Sequence, residues 1–196
     1  MFNKNLFLRK YIFSYAFVFI LILSITIQEV SANSAHIKKN QFLPVLSFID
    51  ILPSEHTQYL GIDKKNKFSF KDFHGSIFII ELFSTYCMSC PKNYPILNSI
   101  YNYIESNKKL KDNVKVFGIA VGNTKDEVDE HIKKYKLIFP ILTDYQFIFH
   151  KATGSPRVPF TIICKKITKN KFKILYIHEG IIESEDIILK NIPHRF

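Results

Sequence analysis

The hydrophobic and polar positions of this chain change period several times, and the changes outline its elements. "SIFIIELF" (76–83) is a nearly unbroken apolar run rich in Ile and Phe, as expected of a strand buried on both faces of a sheet. Behind it the spacing becomes helical. Tyr94, Leu97, Ile100, Tyr101 and Ile104 share one stripe, which predicts an amphipathic helix running to about Glu105. "VKVFGIAVG" (114–122) predicts a second buried strand, closed by Asn123. Thr124 and Glu127 then form an S/T-x-x-E capping box, opening a helix expected to bury Val128, Ile132 and Tyr135. "FPILTD" (139–144) reads as a short strand, and Asp144 can cap a helix to about Ala152. "FTIICKK" (160–166) and "FKILYIHEG" (172–180) are strands joined through "ITKNK" as a hairpin, and "SEDIILKNI" (184–192) is a closing helix. Residues 33–75 alternate short apolar runs with turn-rich pieces, read as loosely specified strands or hairpins leading into the core. Alternating strands and helices followed by a hairpin and helix give a mixed α/β sheet with helices on both faces. Its parallel crossovers should be right-handed.

The first residues follow another pattern. Lys4, Arg9 and Lys10 precede the uncharged, mostly apolar run Tyr11–Ile27, and Val30-Ser31-Ala32 places small residues where a signal peptidase reads them. Residues 1–32 therefore read as a secretory signal peptide cleaved after Ala32. The alternative is an uncleaved N-terminal anchor, because the run is close to the lower limit of about 17 residues for a bilayer span. No cysteine precedes Cys87, so no lipid-modified cysteine is expected at the cleavage site. Either reading places the rest of the chain outside the cytoplasm, periplasmic or secreted, where disulfides form and persist. A retained segment would tether it to the inner membrane.

Composition adds bounds. The chain has 196 residues, 47% apolar and 22% charged, enough for one globular domain with a sizeable core. The formal charge of +10 sits largely in lysine pairs such as Lys108-Lys109 and Lys133-Lys134, a solvated surface pattern that leaves room for weak attraction to anionic membranes. No nucleic-acid-binding motif accompanies it, so a nucleic-acid partner is not expected. The cysteines are Cys87, Cys90 and Cys164. An odd, small set argues for a domain held by its core and not by crosslinks. Cys164, inside "FTIICKK", reads as a small buried core residue.

"FSTYCMSCPKNYP" (83–95) carries the candidate chemistry. It puts Cys87 at the end of a buried strand and the start of a helix, where unpartnered N–H groups and the helix dipole favour a thiolate. Such a cysteine has a depressed pKa and attacks disulfides at neutral pH, and Cys90, one turn on, resolves the mixed disulfide. Pro91 suits a first helical turn, whereas Pro95 should kink the helix. Glu81 is the second unusual residue. A carboxylate in that apolar strand is costly unless neutral or paired, and desolvation raises its pKa. It reads either as a proton acceptor for Cys90 or as a structural carboxylate paired with a lysine or facing solvent. In "GSPRVPFTII" (154–163), Val158-Pro159 stands immediately before a strand and suggests a cis peptide that frees the Val158 backbone to pair with an extended substrate.

With C-x-x-C at the strand-to-helix junction, an acid in the preceding strand and a proline before the next-to-last strand, the chain resembles the thioredoxin superfamily. Within it the chain looks most like the extracytoplasmic TlpA/ResA-type redoxins, across roughly Phe68 to Ile192. The resemblance implies a thioredoxin-like three-layer α/β/α sandwich over residues 68–196, with a mixed central sheet and an inserted strand–helix element, "GNTKDEVDEHIKKYKLIFPILTD". Residues 33–67 are then an N-terminal extension or hairpin. It also implies a thiol–disulfide oxidoreductase, expected to be monomeric, that needs no cofactor beyond its redox-active Cys87/Cys90 pair. Glu81 lies at the superfamily's buried acid, and Pro159 at its cis-proline. Val158, Pro159 and Tyr86 are the substrate-binding candidates. The resemblance leans toward a reductase that takes electrons from a membrane-embedded donor and serves apocytochrome or other exported protein thiols and disulfides. Two positions depart from the pattern: Asn93 stands where the group often has Glu, and Tyr86 where it usually has Trp.

Two other chemistries, metal binding and peroxide reduction, match the motif less well. Copper-delivering relatives add a histidine to two cysteines separated by three residues, whereas here the separation is two; His150 and His178 are the least peripheral histidines. A zinc site would want a second C-x-x-C or a paired histidine motif. Thiol peroxidases place Thr three residues before the attacking cysteine, where this chain has Ser84, with Thr85 one position nearer.

Overall fold

The computed structural model of the protein describes residues 36–62 and 66–193; the signal or anchor expected at residues 1–32 lies outside the described residues. In chain order the elements are β1 (Phe42–Leu43), β2 (Ser47–Ile49), α1 (Ser54–Leu60), β3 (Lys67–Ser69), β4 (Ile77–Phe83), α2 (Tyr94–Ser106), β5 (Val114–Val121), α3 (Lys125–Tyr135), β6 (Ile141–Asp144), α4 (Ile148–Ala152), β7 (Phe160–Thr168), β8 (Lys171–Glu179) and α5 (Glu185–Leu189). Six strands form one mixed sheet in the order β1-β8-β7-β4-β5-β6. β4 runs parallel to β5 and antiparallel to β7. Every residue of β4 and of β5 is buried, which is why these two segments read as continuous apolar runs.

Alternation along β4 divides the core. Phe78, Ile80 and Leu82 face a cluster that includes Leu60 of α1, Phe149 of α4 and the rings of Phe70, Phe73, Phe117 and Phe172. Ile77, Ile79 and Phe83 face the opposite cluster, built with Leu97 and Ile100 of α2, Val128 of α3 and Ile188 of α5. The sheet is thus flanked by helices on both sides, as the strand–helix alternation requires.

The N-terminal residues are woven into this plan. β1 pairs with β8, β2 pairs with β3 in a separate two-stranded antiparallel sheet, and Leu43, Phe48, Leu60 and Ile62 join the aromatic cluster. Buried Asp50 accepts hydrogen bonds from the Thr143 N–H (2.8 Å) and hydroxyl (3.0 Å). A carboxylate thereby occupies a backbone donor of β6, the strand at the sheet's edge.

Three details differ from the expectations. No kinked helix runs on from the cysteine pair. Cys90–Lys92 form one 3-10 turn, and the α-helix begins at Tyr94. Pro95 cannot donate to the Pro91 carbonyl, so the ladder restarts after it, and Pro95 sits in the first turn of α2, where no donor is missed. On α3, the buried residues are Val128 and His131, with Ile132 and Tyr135 half-buried. His131 is drawn inward by a 2.7 Å hydrogen bond to the Tyr94 hydroxyl and by stacking on Phe83. The β7–β8 strands also extend further than expected, leaving only Lys169 and Asn170 at the hairpin tip.

Candidate active site

β4 and β7 are neighbours, and their register places Leu82 opposite Phe160. The segment leaving β4 and the segment entering β7 therefore meet at one end of the sheet. Past Phe83 the chain turns, the Cys87 N–H donating to the Ser84 carbonyl at 3.0 Å. Cys87 and Cys90 form a disulfide, with Cα atoms 5.5 Å apart. The pair is asymmetric: Cys87 is half-buried, while Cys90 is completely buried. Around the Cys87 sulfur lie the Cys90 backbone N–H at 3.1 Å, the Ser89 hydroxyl at 3.4 Å and the Val158 carbonyl oxygen at 3.7 Å. The Val158–Pro159 peptide is cis. Val158 is half-buried, and Pro159 is buried ahead of β7. The structure thus brings Cys87, Cys90 and Val158-Pro159 together from positions far apart in the chain.

Because α2 starts only at Tyr94, the helix dipole acts on Cys87 from beyond an intervening 3-10 turn. That field falls off within about one turn. The local donors that remain for a Cys87 thiolate are the Cys90 N–H and the Ser89 hydroxyl.

Glu81 is 1% exposed, and among the described residues no lysine pairs with it. Its Oε1 accepts from Asn93 Nδ2 at 2.9 Å and its Oε2 from the Thr161 hydroxyl at 2.6 Å, Thr161 being its cross-strand partner on β7. Burial pushes the carboxyl up to about 7, against the opposing pull of these two donors. Glu81 is therefore poised to take or release a proton near neutrality.

Asn93, which stands where the redoxins it resembles often have Glu, is fully buried and fully used. Besides donating to Glu81, it donates to the Gly180 carbonyl at 3.2 Å and accepts the Ile182 N–H at 2.8 Å. Gly180 in turn donates its N–H to the Pro159 carbonyl at 2.9 Å. One amide side chain thus connects the turn after Cys90, the buried acid and the segment following β8.

Tyr86 is 73% exposed, and its hydroxyl donates to Glu127 Oε1. Cys164 is a fully buried free thiol whose pKa burial pushes upward. His150 and His178 are hydrogen-bonded through Nε2 to the carbonyls of Pro156 and Ile181. Among the described residues, no group of three or more His, Cys, Asp or Glu side chains is placed to hold a metal ion.

Sequence reasoning missed Thr161, Asn93 as an amide donor, and Asn123. The Thr161–Glu81 bond depends on β7 register, which the sequence does not display. Asn123 was visible only as the residue closing β5.

Comparison with known proteins agrees with this geometry. A family model described as the AhpC/TSA family matches residues 54–174. The thiol-disulfide oxidoreductase ResA of Geobacillus thermodenitrificans (strain NG80-2) is 28% identical over 116 residues, covering 59% of this chain and 62% of that protein. The match thus spans about three fifths of the relative's length. Among solved structures, StoA from Bacillus subtilis superposes with a TM-score of 0.54 at 18% identity, covering 74% of this chain and 96% of that one. The thioredoxin domain of the thiol-disulfide oxidoreductase BVU-2223 from Bacteroides vulgatus gives 0.60 at 15% identity, covering 80% and 99%. These likenesses bear out the thioredoxin-like α/β fold, and the match over residues 54–174 places the chain in the AhpC/TSA family.

Proposed function

We propose that the protein is an exported thiol–disulfide oxidoreductase that reduces protein disulfides through Cys87 and Cys90. The observation that carries the reading is the asymmetric pair, a half-buried Cys87 facing the Val158 carbonyl and a buried Cys90, together with a desolvated carboxyl at about 7 that is hydrogen-bonded to Asn93 of the turn after Cys90. In the reducing direction, the Cys87 thiolate attacks one sulfur of a substrate disulfide. A mixed disulfide forms, and the other substrate sulfur leaves as a thiolate and takes up a proton. The Cys90 thiol then loses its proton to Glu81 and attacks the Cys87 sulfur. The second substrate thiol departs, and two electrons have passed from the dithiol, which is left as the Cys87–Cys90 disulfide.

Val158 supplies main-chain groups for an extended substrate segment, next to Pro159, and Tyr86 supplies an aromatic wall. The reducing direction is supported by the limited stabilisation of a Cys87 thiolate: a weakly stabilised thiolate makes the dithiol the better electron donor. Regeneration then calls for a membrane-embedded donor, and the segment Tyr11–Ile27 accounts for export and, if retained, for a tether. The test is expression of the full chain with Cys90→Ala in an extracytoplasmic compartment, followed by identification of proteins disulfide-linked to Cys87. Captured exported proteins with cysteine pairs support the reading, and a reactive Cys87 that captures none removes it.

A further inference from the structure

Two side chains outside the exchange chemistry hold the aromatic that precedes Cys87. Asn123, wholly buried at the end of β5, accepts from the Thr85 N–H (3.0 Å) and the Ser84 hydroxyl (3.2 Å) through Oδ1. Through Nδ2 it donates to Thr85 Oγ1 at 2.5 Å. Gly122 sets the turn that aims it: its φ is +70°, and a Cβ there would lie 2.3 Å from the Phe147 ring. Glu127 belongs to the capping box of α3, where its Oε2 accepts the Thr124 N–H at 2.8 Å. Its other oxygen, Oε1, accepts the Tyr86 hydroxyl. The loop 84–86 is therefore fastened at three successive residues to the start of the inserted helix.

An exposed tyrosine ordinarily samples several rotamers, and the freedom it loses on contact weakens binding. A ring fixed beforehand gives up less. We propose that Asn123 and Glu127 form a clasp that presets Tyr86 as one wall of the substrate groove, so that both are positioning residues setting specificity. This rests on the exchange reading above. The substrate class it selects is an extended polypeptide with an apolar side chain beside its disulfide. The residues flanking Cys87 present exposed apolar surface, Tyr86 at 73% and Met88 at 95%, whereas a small hydrophilic disulfide has nothing to lay against that wall.

The test compares the full-length wild type with Tyr86→Phe, Glu127→Ala and the double variant. The substrates are a disulfide peptide flanked by Phe, the same peptide flanked by Ser, and glutathione disulfide. Both single variants should raise KM for the Phe-flanked peptide about fivefold, with kcat changed less than about twofold. The double variant should be no worse than either single one, because both remove the same bond. KM for glutathione disulfide should hold. In 13C-tyrosine-labelled protein the Tyr86 ring should be ordered in the wild type and mobile in Glu127→Ala. A Glu127 that serves only the helix cap would lower Tm and leave KM and ring order unmoved. Additive KM effects, an unchanged KM, or equal ring mobility in the two proteins overturns the proposal. A wild type that reduces none of the three disulfides refutes the exchange reading, and the specificity role falls with it even if the ring is held.

Discussion

On one side of the central sheet, Phe78, Ile80 and Leu82 of β4 meet a cluster of rings, with centroids 5.3 Å apart for Phe73–Phe117, 5.4 Å for Phe70–Phe117 and 5.6 Å for Phe78–Phe172. On the other side the same strand places Ile77, Ile79 and Phe83 in a mainly aliphatic cluster, with Phe83 against the rings of Tyr94 and His131. There, Glu81 is bonded to Asn93 and Thr161, and Tyr94 to His131. Ring packing is non-directional, and each Phe has several neighbours to share a disturbance. The polar groups of the second face have specific partners at fixed angles, because a buried donor or acceptor left alone costs its full desolvation. The first face supplies stability, and the second holds the chemistry in place at some cost to stability.

The largest effect that would break this contrast is on the aromatic face. Phe117→Ala removes a fully buried ring packed against those of Phe70, Phe73 and Phe78 and should cost about 3–5 kcal/mol in denaturant unfolding. The pH dependence of exchange should not change. A shifted pH midpoint in this variant would show that the faces are not independent.

Next is Glu81→Gln. The carboxyl titrates at about 7 in the folded protein, against an ordinary 4.5. Between those values the folded state holds the proton that the unfolded state has released, so stability falls as pH rises from about 4.5 to 7 and is flat above. Burying the ionised form thus costs on the order of 3 kcal/mol above pH 7. The neutral glutamine should recover much of that at pH 8 and little at pH 4. The resolving step, followed by release of a chromogenic thiol from a mixed disulfide on Cys87, should slow about 100-fold. It should also lose its rise through pH 7. A variant destabilised at pH 8, or one that keeps that rise, would contradict the assignment.

The same contrast explains what could be read in advance. β4 and β5 were legible because strands buried on both faces leave unbroken apolar runs. The capping box of α3 was legible because its signal is local. Glu81 stood out because a carboxylate in such a run is anomalous, and the cysteine pair and Val158-Pro159 are compact motifs. What stayed hidden depends on register and rotation. Thr161 reaches Glu81 only because β7 pairs in one particular register, and His131 turns inward because Tyr94 offers a hydroxyl there. Pro95 was visible, but its consequence was misjudged: the chain restarts its helix at Tyr94 instead of kinking a continuous one, which moves the helix dipole away from Cys87.

The smallest expected effect, and the finest test, is at Asn93. Asn93→Ala leaves the Ile182 N–H and the Gly180 carbonyl without their partner, and it removes one of the two donors to Glu81. The first loss is independent of protonation and should cost about 1–3 kcal/mol at any pH. The second acts on the ionised carboxylate alone, since that form gains most from a donated hydrogen bond. The variant should therefore be destabilised more at pH 8 than at pH 5, and the midpoint of its resolving step should move above the wild-type value. If unfolding shows the same loss at both pH values and the midpoint stays put, Asn93 only braces the segment after β8. Proton handling then falls to Glu81 and Thr161 alone.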